Sequence, residues 1–244
     1  MTTARPFTLV MAYYDNPNML IEQRRRWTEL PDRIAQALHV VIVDDGSPRW
    51  PARDILPLNT WGNHPASRYG SVQLFQMKQD VPWNQDACRN LGVKFARTEW
   101  VLLTDMDHVV PRGTWDRLMF GPLLNKAAYR FARVSMPECL PYKYHPNTWA
   151  MRAKCYWQCG GYDERLAGNN GTDGDFLIRV RARLAIEDLP QTIIRYPREV
   201  IPDASTTTLE RKRADEKDNI RRLVGARGPD WKPLHFSFPY ERVL

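Results

Sequence analysis

Four apolar residues, Trp100-Val101-Leu102-Leu103, run through Thr104 into two aspartates set two positions apart, Asp105 and Asp107. An apolar run this short, rich in β-formers, predicts a buried strand. Side chains at i and i+2 of a strand point the same way, so both carboxylates can aim at one spot just past the strand's carboxyl end. Open α/β sheets place their ligands there. Two like charges at one spot repel unless a cation sits between them. A hard divalent ion would resolve the repulsion, because Mg2+ and Mn2+ favour oxygen ligands and keep positions open for substrate. The same Asp-x-Asp also suits a strand-end turn whose aspartates cap the next segment, so the rest of the chain has to decide.

The pattern before this stretch is strand, helix, strand. Phe7 to Tyr14 predicts a first strand, buried on both faces. Asp15-Asn16-Pro17-Asn18 is turn chemistry, with Asn18 as helix N-cap. Met19, Leu20, Trp27 and Leu30 recur at helical spacing up to Pro31. Val40 to Val43 predicts a second strand, followed at once by Asp44-Asp45-Gly46-Ser47. This βαβ unit implies a parallel sheet. Residues 49–70 read as a helix fragment within a loop, Val72 to Met77 as a third strand, and the segment from Asn84 as a helix with Ala87, Leu91 and Phe95 inward.

Beyond the Trp100 strand, Thr114 to Leu124 predicts a helix. Phe131–Val134 and Thr148–Met151 predict strands, and Arg152–Gln158 a helical turn ending at Gly160-Gly161. Asp175–Ile186 predicts a helix, Ile193-Ile194 a last strand, and Leu209–Val224 a charged helix. Trp231 to Leu244 reads as an extended tail packing back on the body.

At 244 residues, with 43% apolar and 26% charged, the composition is that of an ordinary globular protein. No stretch is apolar and long enough to span a bilayer, and no signal-peptide pattern opens the chain, so a cytoplasmic location is expected. The four cysteines are read as reduced thiols. A net charge of +7 suits an anionic partner without choosing among a nucleotide diphosphate, a nucleic acid and an anionic membrane face.

Five patches now stand in order: Tyr14-Asp15; Asp44-Asp45-Gly46-Ser47; Asn84 to Gly92 with Arg89-Asn90; Asp105-Met106-Asp107; and Gly160-Gly161-Tyr162-Asp163-Glu164 leading to Asp173-Gly174-Asp175. Together they resemble the family 2 type of GT-A glycosyltransferases, over residues 7 to 185. The resemblance implies an α/β fold with a Rossmann-like, mostly parallel central sheet flanked by helices, a smaller acceptor-side mixed sheet, and a helical or extended C-terminal tail. It implies a catalytic domain over residues 1–202, with a nucleotide-binding half to about 110 and an acceptor half from 111. Residues 203–244 would pack on it or act as a lid.

Site roles follow from the same resemblance. Tyr14 would pack on the base. Asp45 would accept the imide N–H of uracil, while Asp44 turns into the loop. Arg89 and Asn90 would serve the diphosphate, and Gly161 would let the backbone approach the donor sugar. Asp105 and Asp107 would hold Mn2+ or Mg2+, with Asp107 the direct ligand and His108 or His145 as further candidates. Asp173 would be the general base that takes the proton of the acceptor hydroxyl, and Asp175 the runner-up. In the family a Glu precedes the base; here that position is Thr172. Arg179 would serve as a salt-bridge or phosphate residue.

The expected activity is inverting, metal-dependent transfer of one sugar from a nucleotide-diphosphate sugar, a UDP-sugar first, to an acceptor hydroxyl. A saccharide, a glycolipid, a protein and DNA with hydroxymethylated bases all fit as acceptor, and peripheral membrane association is compatible. Two other classes stay open. A sugar nucleotidyltransferase should carry a Gly-rich loop after its first strand, where this chain reads Tyr13-Tyr14-Asp15-Asn16-Pro17. A non-catalytic carbohydrate- or nucleic-acid-binding protein could use the same fold. Gln23-Arg24-Arg25-Arg26-Trp27 matches a string found in processive polysaccharide synthases, but it lies on the first helix rather than after the catalytic aspartate. It is read as coincidence.

Overall fold

Strands and helices alternate from the start in the computed structural model, which describes residues 3–56, 69–169, 171–205 and 217–244. The first half comprises β1 (Phe7–Tyr13), α1 (Pro17–Thr28), α2 (Asp32–Ala35), β2 (Leu38–Asp44), α3 (Ala52–Ile55), β3 (Ser71–Met77), α4 (Gln85–Lys94) and β4 (Trp100–Asp105). The second comprises β5 (His108–Val109), α5 (Arg112–Phe120), β6 (Ala127–Ser135), β7 (Leu140–Tyr142), β8 (Trp149–Arg152), α6 (Ala153–Gln158), α7 (Thr172–Arg181), β9 (Ala185–Arg195), α8 (Lys217–Gly225) and β10 (Tyr240–Arg242). Among the described residues the strands form one sheet, ordered β10-β3-β2-β1-β4-β8-β6-β9-β5, with β7 paired to β6.

The four central strands, β3, β2, β1 and β4, are parallel. Both faces of this region are covered, which is why its strands are apolar at consecutive positions rather than alternating. On one face Leu9, Met11, Val40, Ile42 and Leu102 pack with Trp27 of α1 and Trp115 of α5. On the other, Val41, Val43 and Phe75 pack with Leu91 of α4, and Val10, Val101 and Leu103 with Tyr156 and Phe176. Gly92 lets α4 lie directly on β1: a Cβ there would sit 2.2 Å from Val10 Cγ1.

Register then fixes the site. Tyr13 lies opposite Asp44, Ala12 opposite Asp105, and Asp44 opposite Gln76. Parallel strands in this register end together, so Tyr14, Asp45 and Met106-Asp107 leave the sheet at one edge. Beyond β4 the sheet becomes mixed: β8 runs antiparallel to β4, β6 antiparallel to β8, and β9 parallel to β6.

Several boundaries differ from the sequence reading. The helix expected over Asp175–Ile186 begins at Thr172 and stops at Arg181, because Gly171, at φ 100°, turns the chain ahead of its first residue. Ala185 already belongs to β9, which runs eleven residues. Pro190 hid this strand. The register with β6 jumps from Phe131↔Leu189 to Ala132↔Thr192, so Pro190 sits in a bulge where no ladder N–H is needed. Helix α5 ends at Phe120, before Gly121-Pro122. Helix α1 starts at Pro17, not after Asn18. The N–H groups of Asn18 and Met19 are capped from far along the chain by the Asp203 carboxylate, at 2.7 and 3.1 Å. Of the charged helix expected over Leu209–Val224, residues 206–216 lie outside the described residues, as do 57–68 of the loop expected over 49–70. The C-terminal residues run back as β10, antiparallel on the outer edge of β3.

Candidate active site

The centre of the site is a buried guanidinium. Arg89, on α4, is 1% exposed. Its Nη2 donates to Asp105 Oδ1 at 2.5 Å and to Gln85 Oε1 at 3.1 Å, and its Nη1 donates to Asp173 Oδ1 at 3.1 Å. One planar fork thus joins the end of β4 to the first turn of α7, 84 residues further along the chain than Arg89 itself. Arginine suits this task because its donors are fixed in one plane and its charge does not titrate. The ring of Tyr162 lies 5.0 Å from the guanidinium carbon.

The two carboxylates respond in opposite ways. Burial acts to raise Asp105, but the charge of Arg89, then His145, outweighs it and holds the group well below the usual carboxylate range. Burial raises Asp173 too, and there it prevails over the pull of Arg89, so Asp173 binds a proton more readily than a free carboxylate.

Asp105 Oδ2 accepts from Asn147 Nδ2 at 3.1 Å and faces His145 Nε2 at 3.3 Å. His145 Nδ1 lies 2.8 Å from Thr148 Oγ1, which in turn lies 2.9 Å from Thr104 Oγ1. Burial, then the neighbouring His108, lowers the His145 ring to about 4, so it is neutral at neutral pH. Its ring stacks on that of His108 with centroids 3.9 Å apart. Asp107 Oδ1 meets His108 Nδ1 at 2.7 Å, and Arg133 Nη1 reaches His108 Nε2 at 3.1 Å. Arginine only donates, so Nε2 accepts and the proton sits on Nδ1, directed at Asp107. His108 therefore orients Asp107 and is blocked as a ligand through Nε2.

At the ends of β1 and β2, Tyr14 is 8% and Asp45 1% exposed. Asp45 Oδ2 accepts the Asn84 backbone N–H at 3.3 Å. Asp44 turns into its own loop, accepting the N–H groups of Ser47 and Ala52 at 2.8 and 2.7 Å. Asn90, grouped with the donor contacts from the sequence, spends its whole amide inside the protein. It donates to Tyr162 O and Glu164 Oε1 at 3.0 and 2.9 Å, and accepts from Tyr156 OH and Tyr162 N–H at 2.6 and 3.0 Å. Gly161, at φ +56°, packs against that amide: a Cβ would lie 2.9 Å from Asn90 Oδ1. Asp175, the runner-up base, is held by Arg179 and Arg227. Arg179 also donates to the carbonyls of Cys159 and Gly161 and is a structural tie.

Asp105 and Asp107 border a cavity of about 70 Å³ together with Trp83, Gln85, Ala204 and Ser205. That holds a few waters or an ion with its shell, not a nucleotide. A larger hollow of about 920 Å³ lies by Pro6, Arg33 and Phe120, at the opposite end of the sheet, and contains none of these carboxylates.

Among the described residues no three His, Cys, Asp or Glu side chains converge as a finished metal cage. The donor set still fits a hard cation. Asp105 and Asp107 offer carboxylate oxygens, and Asn147, whose Nδ2 donates to Asp105, has its Oδ1 buried with no hydrogen-bond partner, an acceptor left over beside the pair. Sequence reasoning missed Asn147 and Arg133. Asn147 follows a loop with no periodicity; Arg133 could have been flagged as a charge inside the strand-like run Phe131-Ala132-Arg133-Val134.

No family model and no curated protein matches the sequence. Solved structures do match in fold. GalNAc-T7 with UDP, GalNAc and Mn2+ superposes with a TM-score of 0.59 at 12% identity over 81% of this chain and 45% of that one. S. aureus TarS 1–349 gives 0.57 at 14% over 85% and 66%. The mannosyltransferase PcManGT from Pyrobaculum calidifontis, in complex with GDP-Man and Mn2+, gives 0.58 at 15% over 80% and 57%. The fold is the GT-A glycosyltransferase fold. The chain spans between about half and two thirds of the length of these structures.

Proposed function

We propose that the protein is an inverting, metal-dependent glycosyltransferase that moves a single sugar from a UDP-linked donor to an acceptor hydroxyl. The observation that carries this reading is the Arg89 bridge between Asp105 and Asp173. It sets a strand-end Asp-x-Asp and a partly buried carboxylate of raised proton affinity within one guanidinium of each other. The solved structures of the same fold that hold Mn2+ with UDP or a GDP-sugar support the donor class.

In this reading residues 1–110 hold the donor and residues 111–202 the acceptor. Tyr14 packs on the base and Asp45 accepts its imide N–H. Asp105, Asp107 and Asn147 would hold Mn2+ or Mg2+, which supplies positive charge to the leaving diphosphate. Arg89 and Tyr162 both address Asp173 Oδ1. We assign the other oxygen, Oδ2, to the acceptor: it takes the hydroxyl proton as that oxygen attacks the anomeric carbon from the face opposite the leaving group, and a single displacement inverts the centre. Asn90 and Gly161 shape the loop that carries Tyr162 rather than touching the donor. A nucleotide needs several times the room of the present cavity, so donor entry would have to widen it.

The test is UDP release from UDP-sugars with Mn2+ and an acceptor panel of saccharides, glycolipids, proteins and hydroxymethylated DNA. Asp107→Ala and Asp173→Asn should each lower turnover by about 10²–10⁴-fold. Wild-type turnover in both variants would refute the assignment.

A further inference from the structure

One buried carboxyl beside this centre has no role in the scheme above. Asp86 lies one turn before Arg89 on α4 and is 1% exposed. Its Oδ1 accepts a hydrogen bond from Thr172 Oγ1 at 3.0 Å, and its Oδ2 is buried with no hydrogen-bond partner. Thr172 is the first residue of α7, and the residue before it, Gly171, offers no side-chain cap. The side chain that ties down the start of α7 thus comes from another helix, and the residue it ties is the one immediately before Asp173.

We propose that Asp86, in its protonated form, is the positioning residue for the base: it anchors Thr172 and presents Asp173 to the acceptor as the ionised member of the pair. This rests on the reading of Asp173 as general base.

Burial and the neighbouring charges favour the proton on Asp86. Three carboxyls, the buried Asp86 and the partly buried Asp105 and Asp173, stand around one guanidinium. Arg89 spends Nη2 on Asp105 and Nη1 on Asp173. Oδ2 lacks a partner in either state, but as part of an ionised carboxylate it would leave a buried charge unsolvated, which costs far more than an unpaired neutral group. The groups that act on Asp86 are Asp173 and Asp175 from α7 and Arg89 from its own helix, and the phenols of Tyr156 and Tyr162 feel its charge in turn. Asp175 is itself paired with Arg179 and Arg227. Burial, then the negative charge of Asp173, pushes Asp86 up to about 8. Above that pH a third negative charge would compete for Arg89 and weaken its hold on Asp173.

The experiment is a pH titration of the full-length protein labelled with 13C at the aspartate carboxyls, with Asp86→Asn and Asp173→Asn for assignment, alongside the pH profile of UDP release. One carboxyl should titrate near pH 8 and vanish in Asp86→Asn, and the Asp173 signal should shift over the same range. Asparagine keeps an acceptor for Thr172 and cannot ionise. Asp86→Asn should therefore hold kcat at pH 7 within about threefold of wild type and move the alkaline limb up by about one pH unit or more, with donor KM unchanged. Asp86→Ala, which removes the anchor, should lower kcat about ten- to a hundredfold. No aspartate titrating above pH 6, or a wild-type kcat in Asp86→Ala, overturns the proposal. If the wild type releases no UDP, the base assignment fails, and the titration still decides whether Asp86 holds the proton.

Discussion

Replacing Arg89 with Met tests the centre of the site without any substrate. Methionine fills similar space and removes the guanidinium that pairs with both Asp105 and Asp173, at 2.5 and 3.1 Å. Removing one partner of a buried ion pair strands the other and costs about 3–5 kcal/mol. For a chain of this size about 1 kcal/mol moves Tm by roughly 2–4 °C, so a loss of roughly 6–20 °C is expected at pH 7.5. The pH dependence gives a sharper criterion. In the wild type Asp105 sits below its unfolded value, because Arg89 and His145 outweigh burial. Its contribution to stability is present above about pH 4 and is lost as pH falls toward the folded-state value. In Arg89→Met burial acts without the guanidinium, and both carboxyls rise. The variant then binds protons on folding between about pH 4 and 7, and each group so raised adds up to about 1.4 kcal/mol for each pH unit of acidification in that window. The gap in Tm between variant and wild type should therefore narrow from pH 7.5 to 5.5. Arg89→Lys, a point charge that cannot span both carboxylates, should fall between the two. Thermal unfolding at the two pH values measures all of this. A wild-type Tm in Arg89→Met at pH 7.5, or a gap that widens on acidification, would refute the bridge.

Two further outcomes follow from the same geometry. Glu164, 2% exposed, accepts from Asn90 Nδ2, from the N–H groups of Phe236 and Ser237, and from Ser237 Oγ, at 2.7–2.9 Å; Glu164→Ala should cost about 2–4 kcal/mol and expose the tail after Trp231 to limited proteolysis, and an unchanged digestion pattern would count against this tie. His108→Ala removes the link between Arg133 and Asp107 and should weaken Mn2+ binding about 10–100-fold, read directly by the electron paramagnetic resonance of free Mn2+; unchanged affinity would show that Asp107 needs no such orientation.

The first half of the chain was legible because its determinants are local. Apolar runs at 7–14, 40–43, 72–77 and 100–103 read as buried strands; the structure ends the first one residue earlier, at Tyr13, and extends the other three by one to three residues. The turn residues that follow them marked the edge where the candidate site lies. The second half was less legible. Strand β9 carries a proline in its bulge and is only partly buried, so no simple period marks it, and the start of α1 is capped by Asp203, which no local window contains. The Arg-Asn pair shows the same limit within the site. Adjacent on α4, the two point to different partners: Arg89 to two carboxylates, Asn90 into the loop beneath Tyr162.

The sequence by itself determined the parallel sheet and which residue types stand at its mouth, since strand periodicity and turn chemistry act over a few neighbouring positions. Only the tertiary structure decided how those residues are used. Whether Asp105 and Asp173 share one guanidinium, whether His108 binds or orients, and which carboxyl keeps a proton depend on distances between elements far apart in the chain and on how little water reaches them. Electrostatic energy follows those two quantities, and neither is written along the sequence.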